Sequence, residues 1–107
     1  MNQAAQSCRE SDPNDLRQHA DEATRQLKAL ANVNRLMILC ILSEGELSVS
    51  ELNETIDLSQ SALSQHLAKL RTDNLVETRR ESQTIFYSLK PGVAKNIISV
   101  LHDFYCA

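Results

Sequence analysis

Residues Ser48 to Arg71, SVSELNETIDLSQSALSQHLAKLR, constrain the fold of this chain more than any other stretch. Ser48-Val49-Ser50-Glu51 has the S-x-x-E spacing of a capping box, in which a hydroxyl and a carboxylate each satisfy a backbone N–H at a helix start. Val49, Leu52 and Ile56 give that helix one apolar face. Asp57-Leu58-Ser59 reads as a turn, with Ser59 capping a second helix. In that helix Leu63, Leu67 and Leu70 recur at helical spacing and turn inward, leaving Gln60, Ser61, Ser64, Gln65 and Lys69 outside. Two short helices joined by a tight turn, the second polar on its outer face, read as a helix-turn-helix, which points to DNA.

The flanking sequence extends the pattern. Residues 1–11 carry no periodicity and read as a loose tail, and residues 12–107 as one domain. Asp12-Pro13 is a helix start, followed by Leu16, Ala20, Ala23, Leu27 and Leu30 at alternating steps of four and three. That narrow seam suits packing against another helix, as across a dimer axis. Asn32 caps a helix over NRLMILCILSEG, apolar nearly all round and closed by Gly45, which is expected at the centre of the core. Val76 to Arg80 and Thr84 to Leu89 are β-rich and flank Glu81-Ser82-Gln83, so they read as a two-stranded hairpin or wing. Pro91 opens a last helix with Val93, Ile97, Val100, Leu101 and Phe104 along one side. The expected class is mainly α, in the order ααααββα: a winged helix-turn-helix, paired as a homodimer.

With 107 residues the core is small, and pairing with a second copy would bury more apolar surface. No run is long enough to span a bilayer, and MNQAAQSCRESDPND lacks the apolar core of a secretory signal, so a cytoplasmic protein is expected. Three cysteines argue against a closed disulfide framework. The net charge of -3 is unusual for a DNA binder. The acids Glu44, Glu46, Glu51, Glu54 and Asp57 precede the second helix of the motif, however, whereas Lys69, Arg71, Arg79, Arg80 and Lys90 outnumber Asp73, Glu77 and Glu81 after it. Such a modest excess makes binding salt-sensitive and dependent on shape and base contacts.

Base edges in the major groove are met by the N-terminal end of a recognition helix. Gln60, Ser61, Ser64 and Gln65 occupy that end; Gln pairs with adenine and Ser with several bases. Lys69, Arg71, Arg79 and Arg80 are the candidate phosphate or minor-groove cations. The bland reading, a solvated helix face and hairpin, loses ground once capping box, Ser59 cap and hairpin are taken together.

LKALANVNRLMILCIL followed by ELSVSELNETIDLSQSALSQHLAKLRTDNLVETRRESQTIFYSL resembles the ArsR/SmtB winged-helix repressors, from about Leu27 to the end. The resemblance implies a homodimer built from the first and last helices, an imperfect palindromic operator in double-stranded DNA, and release when an inducer binds. In the arsenic-type branch the third helix starts E-L-C-V-C-D-L; here Glu46 to Leu52 puts Ser48 and Ser50 at both thiolate positions, and Ser is a poor ligand for soft metals. The zinc type uses Asp and His on the last helix, where this chain has only the adjacent His102 and Asp103. No metal site and no cofactor is therefore expected. His19 and His102 read as surface or interface residues; His66 has no assigned role.

Cys40 alone reads as a small buried hydrophobe, and Cys106 alone as an incidental terminal residue. Together, ILCIL and HDFYCA resemble the thiol-sensing branch of the family. That resemblance implies that reactive sulfur species or oxidants join Cys40 to Cys106 as a disulfide or polysulfide. No cation lies nearby in sequence to favour a thiolate, so persulfides are expected to react better than hydrogen peroxide. Cys8 falls in the tail and is assigned no role. An antirepressor that activates genes, or a family member with merely structural cysteines, stays open. An enzyme is not expected: a thiol oxidoreductase would need a C-x-x-C or an activated nucleophile with its base, and neither is present. A protein-interaction module using the same helical face is the remaining class.

Overall fold

Helix termini and turns carry much of the definition of this fold, because the three central helices are short and each begins at a side-chain cap. The computed structural model describes residues 13–106. The expected tail, the Asp12 cap and Cys8 lie outside the described residues. Helix α1 spans Pro13–Leu30, α2 Val33–Leu42, α3 Val49–Thr55, α4 Gln60–Thr72 and α5 Val93–Cys106, with strands β1 Leu47–Ser48, β2 Val76–Glu81 and β3 Thr84–Leu89. The result is a winged helix-turn-helix, with one strand more than the sequence pattern discloses.

Asn32 caps α2, its Oδ1 accepting from Arg35 N–H at 3.0 Å. The Arg35 guanidinium turns back and donates from Nε to the Ala29 carbonyl at 2.8 Å, satisfying the end of α1. One residue thus fixes the α1–α2 corner. Helix α2 stops at Leu42, three residues before Gly45, whose φ of +151° lets the chain turn where a side chain would strain it.

Both halves of the capping box form. Glu51 N–H donates to Ser48 Oγ at 3.2 Å, and Ser48 N–H donates to Glu51 Oε1 at 2.9 Å. In the turn, Asn53 Nδ2 donates to the Leu58 carbonyl at 2.8 Å, and Ser59 Oγ accepts from Ala62 N–H at 3.1 Å to start α4. The core gathers Ile38, Leu39 and Leu42 of α2, Leu52 of α3, Leu63, Leu67 and Leu70 of α4, and Ile98 of α5.

The sheet has the order β1-β3-β2, all antiparallel. Leu47 pairs with Tyr87 and Ser48 with Phe86, so the segment leaving α2 adds a short strand to the wing. Glu81 pairs with Thr84, which makes Ser82-Gln83 the turn and carries β2 one residue further than expected.

One expectation needs correction. Helix α2 is not enclosed: Met37 is 45% exposed and Cys40 and Ile41 are only half-buried. On α5, Ala94 and Ile98 enter the core, whereas Val93, Val100 and Phe104 are exposed, with Ile97 and Leu101 intermediate. The apolar surface of α5 is wider than one core contact, and its outer part joins Leu16 and Leu27 of α1 as apolar surface uncovered in the single chain.

Replacing Ser48 by Ala removes the acceptor for Glu51 N–H at a position only 8% exposed. Urea unfolding is expected to show a loss of about 1 kcal/mol, with exposed Ser50→Ala nearly neutral as the control.

Candidate nucleic-acid interface and thiol pair

Burial of the three leucines of α4 leaves the opposite side of that helix to solvent. Gln60, Ser61, Ser64 and Gln65 are all exposed and occupy its first turns, and Ser61 Oγ lies 3.4 Å from the Ser59 cap hydroxyl. These four form one polar patch at the helix N-terminus, where backbone N–H groups also favour an anion. Lys69 and Arg71 are exposed too, but Lys69 is about 12 Å further along the axis than Ser61, at 1.5 Å per residue. Lys69 Nζ sits 3.2 Å from Asp73 Oδ2, a carboxylate oxygen with no hydrogen-bond partner of good geometry. The contact is therefore an ion pair of poor alignment. His66, on the same helix, is half-buried.

The wing arginines differ. Arg80 is exposed and makes no ion pair among the described residues. It shares a strand face with Val76, which enters the core, but lies out at the tip. Arg79 faces the other way and is committed. Its Nε and Nη2 hold Glu46 side-on at 3.0 and 2.6 Å, and its Nη1 holds Glu81 at 2.7 Å. Its guanidinium lies 4.6 Å over the Phe86 ring. These N–H donors hold the Glu46 carboxyl below its ordinary value and raise Arg79 further into its charged form. Nothing in the sequence signals this pairing, since Glu46 and Arg79 are 33 residues apart.

The two described cysteines are free thiols, Cys40 half-buried on α2 and Cys106 exposed as the last residue of α5. The two helices pack together. Burial pushes the Cys40 thiol above its ordinary value, with negative charge on Cys106 the lesser cause. Ser48, at a position where a metal-binding relative would carry a thiolate, spends its hydroxyl on the helix cap. Among the described residues no three His, Cys, Asp or Glu side chains gather as a metal ion would require, and no helix is long and apolar enough to cross a membrane.

A winged helix-turn-helix with a polar recognition helix defines a class of DNA-binding regulators. The sequence pattern described as "Bacterial regulatory protein, arsR family" matches residues 32–78. The chain is 52% identical over 92 residues to the transcriptional activator HlyU of Vibrio cholerae serotype O1, covering 86% of this chain and 85% of that protein. The solved structure of reduced HlyU from Vibrio cholerae N16961 superposes with a TM-score of 0.82 over 87% of this chain and 98% of that one. The transcriptional repressor BigR from Xylella fastidiosa gives a TM-score of 0.78 at 40% identity, over 89% and 94% of the two chains. The homodimeric winged helix-turn-helix domain of Mb0332 from Mycobacterium bovis gives 0.76 at 26% identity, over 89% and 87%. The chain belongs to the arsR family and is a transcriptional regulator; these relatives are regulators rather than enzymes.

The cause of the Cys40 shift is testable by pH-dependent alkylation. Because the value is raised, Cys40 should react with a midpoint above that of a small free thiol. Cys106→Ser should bring the midpoint down only part of the way, because burial is the larger cause and persists. An unchanged midpoint would mean that Cys106 does not act on Cys40.

Proposed function

We propose that this chain is a homodimeric repressor that binds an imperfect palindrome in double-stranded DNA and lets go when reactive sulfur species join Cys40 to Cys106. What supports the sensing claim is that one free thiol lies on α2 and the other ends α5, two helices that pack together, with Cys106 a lesser cause of the raised Cys40 value.

In the DNA-bound state, Gln60, Ser61, Ser64 and Gln65 read base edges while Arg80, Arg71 and Lys69 meet backbone. The exposed apolar residues of α1 and α5 support dimerisation, as does the homodimeric relative. Two copies related by a two-fold axis present two recognition helices to half-sites one helical turn or more apart.

The covalent step balances with an organic persulfide as oxidant. One cysteine thiolate takes the outer sulfur of the organic persulfide and releases the organic thiol. The second thiolate attacks the protein-bound sulfur of the new persulfide and expels hydrosulfide. Two protein thiols and one organic persulfide give a protein disulfide, the organic thiol and hydrogen sulfide: the cysteine sulfurs are oxidised and the persulfide S–S bond is reduced. With a second organic persulfide both cysteines become persulfides and two organic thiols leave; the outer sulfur of one then attacks the protein-bound sulfur of the other and expels hydrosulfide, giving a trisulfide bridge. Either bridge ties α2 to the end of α5, whose outer face belongs to the dimer contact, and so re-angles the recognition helices.

Fluorescence anisotropy on the operator tests this reading. Treatment with an organic persulfide should weaken wild-type binding tenfold or more, equivalent to about 1.4 kcal/mol or more. Cys40→Ser and Cys106→Ser should keep their affinity, and intact-mass spectrometry of the wild type should show loss of the two thiol hydrogens or gain of bridging sulfur. Full release of the Cys40→Ser variant would remove the sensing claim and leave the DNA claim standing. The name of the Vibrio relative, an activator, favours a second reading in which the same binding event displaces another silencer; promoter fusions in a deletion strain distinguish the two by sign.

A further inference from the structure

We infer that Arg79 is a strut that sets the angle of the wing, a positioning residue rather than a ligand for DNA phosphate. Its functional half rests on the DNA-binding reading above.

The strut follows from sheet register. Arg79 on β2 stands opposite Phe86 on β3, and Phe86 stands opposite Ser48 on β1. Paired residues point to one face, so these three form a row across the sheet. The Arg79 side chain runs over the Phe86 ring and meets Glu46, two residues before Ser48. It therefore spans from an outer strand, over the central one, to the segment that leaves α2.

Two observations separate this from a phosphate contact. First, one guanidinium holds two carboxylates, Glu46 and Glu81, so the cluster carries a net negative charge and repels an approaching phosphate. Exposed ion pairs usually contribute little, but a side-on arginine–carboxylate pair within a network is the recognised exception. Second, the strut sits on the outer, exposed half of the wing, beyond its buried base. Val76 and Leu89 at its base are buried, whereas Arg80 to Ile85 are all exposed, with Ile85 at 38% exposure partly covered. The backbone pairing of the two-residue β1 and the Arg79–Glu46 contact are what tie the hairpin to the segment after α2.

The segment carrying Glu46 continues directly from the helix that bears Cys40. A displacement of α2 thus reaches the wing through the strut as well as through the β1–β3 ladder.

Two measurements on Glu46→Ala and Arg79→Ala test the inference, one of them without DNA. In the free protein, amide exchange in the outer half of β2 and β3 should speed up in both variants, while α4 amides keep their protection. On the operator, both variants should bind more weakly with the salt slope unchanged, because no phosphate contact is lost. The double variant should be no worse than either single one. Arg80→Ala, as the comparison, should flatten the slope by about 0.9 for the one phosphate it meets. If Glu46 merely keeps Arg79 from DNA, Glu46→Ala would instead bind more tightly with a steeper slope, and the inference fails. Unchanged wing exchange, or faster exchange with unchanged affinity, also overturns it. If the wild type binds no duplex at all, the DNA reading fails, and the exchange experiment still decides whether the strut exists.

Discussion

Helix α4 is held by three leucines and a serine cap, and the rest of the molecule is arranged around that constraint. Leu63, Leu67 and Leu70 are fully or nearly fully buried, so the rotation of the helix about its axis is fixed by packing. Ser59 fixes where it begins. With rotation and start both set, Gln60, Ser61, Ser64 and Gln65 have one direction in which to face. The capping box of α3 and the Asn53 bond to the Leu58 carbonyl hold the preceding helix and turn, which set the tilt. A reading head of this kind needs little energy of its own, because the core supports its geometry.

Two features lie around that rigid unit. Helices α2 and α5, which carry the two thiols, pack together, and α5 carries uncovered apolar residues on the side away from the core. A second copy seated there would make the relative position of the two recognition helices a function of the α2–α5 angle. The wing adds another lever, since its central strand pairs with the segment that leaves α2 and its outer strand is tied there through Arg79. Sulfur chemistry at Cys40 would then act on both DNA-contacting elements through one helix.

The sequence discloses the helix-turn-helix well because its signals are local. A capping box, a serine cap and leucines at helical spacing each speak within a few residues, and all three agree. The wing is legible from its β-rich runs, though its turn is a residue shorter than the Glu81-Ser82-Gln83 cluster suggests. Strand β1 is not legible: two residues have no alternation to read, and Leu47-Ser48 becomes a strand only because β3 lies beside it. The two customers for the apolar surface of α5 cannot be separated from periodicity either, because core and exposed stripe share neighbouring positions on one helix. Arg79 shows the same limit in charge. Its position in a basic stretch suggests phosphate, and only the fold brings Glu46 to it from 33 residues away. Cys40 and Cys106 are linked in the sequence by resemblance alone; the structure puts them on two helices that pack together.

The central claim is that those two sulfurs, from α2 and the end of α5, are neighbours in the reduced protein. It is tested most directly by treating the full chain with a bifunctional thiol alkylator too short to join distant sulfurs, then mapping the linked peptides by mass spectrometry. The account predicts a crosslink between the Cys40 and Cys106 peptides of one chain, formed equally well when Cys8 is replaced by Ser. Single adducts at Cys40 and Cys106 without any link between them would contradict it.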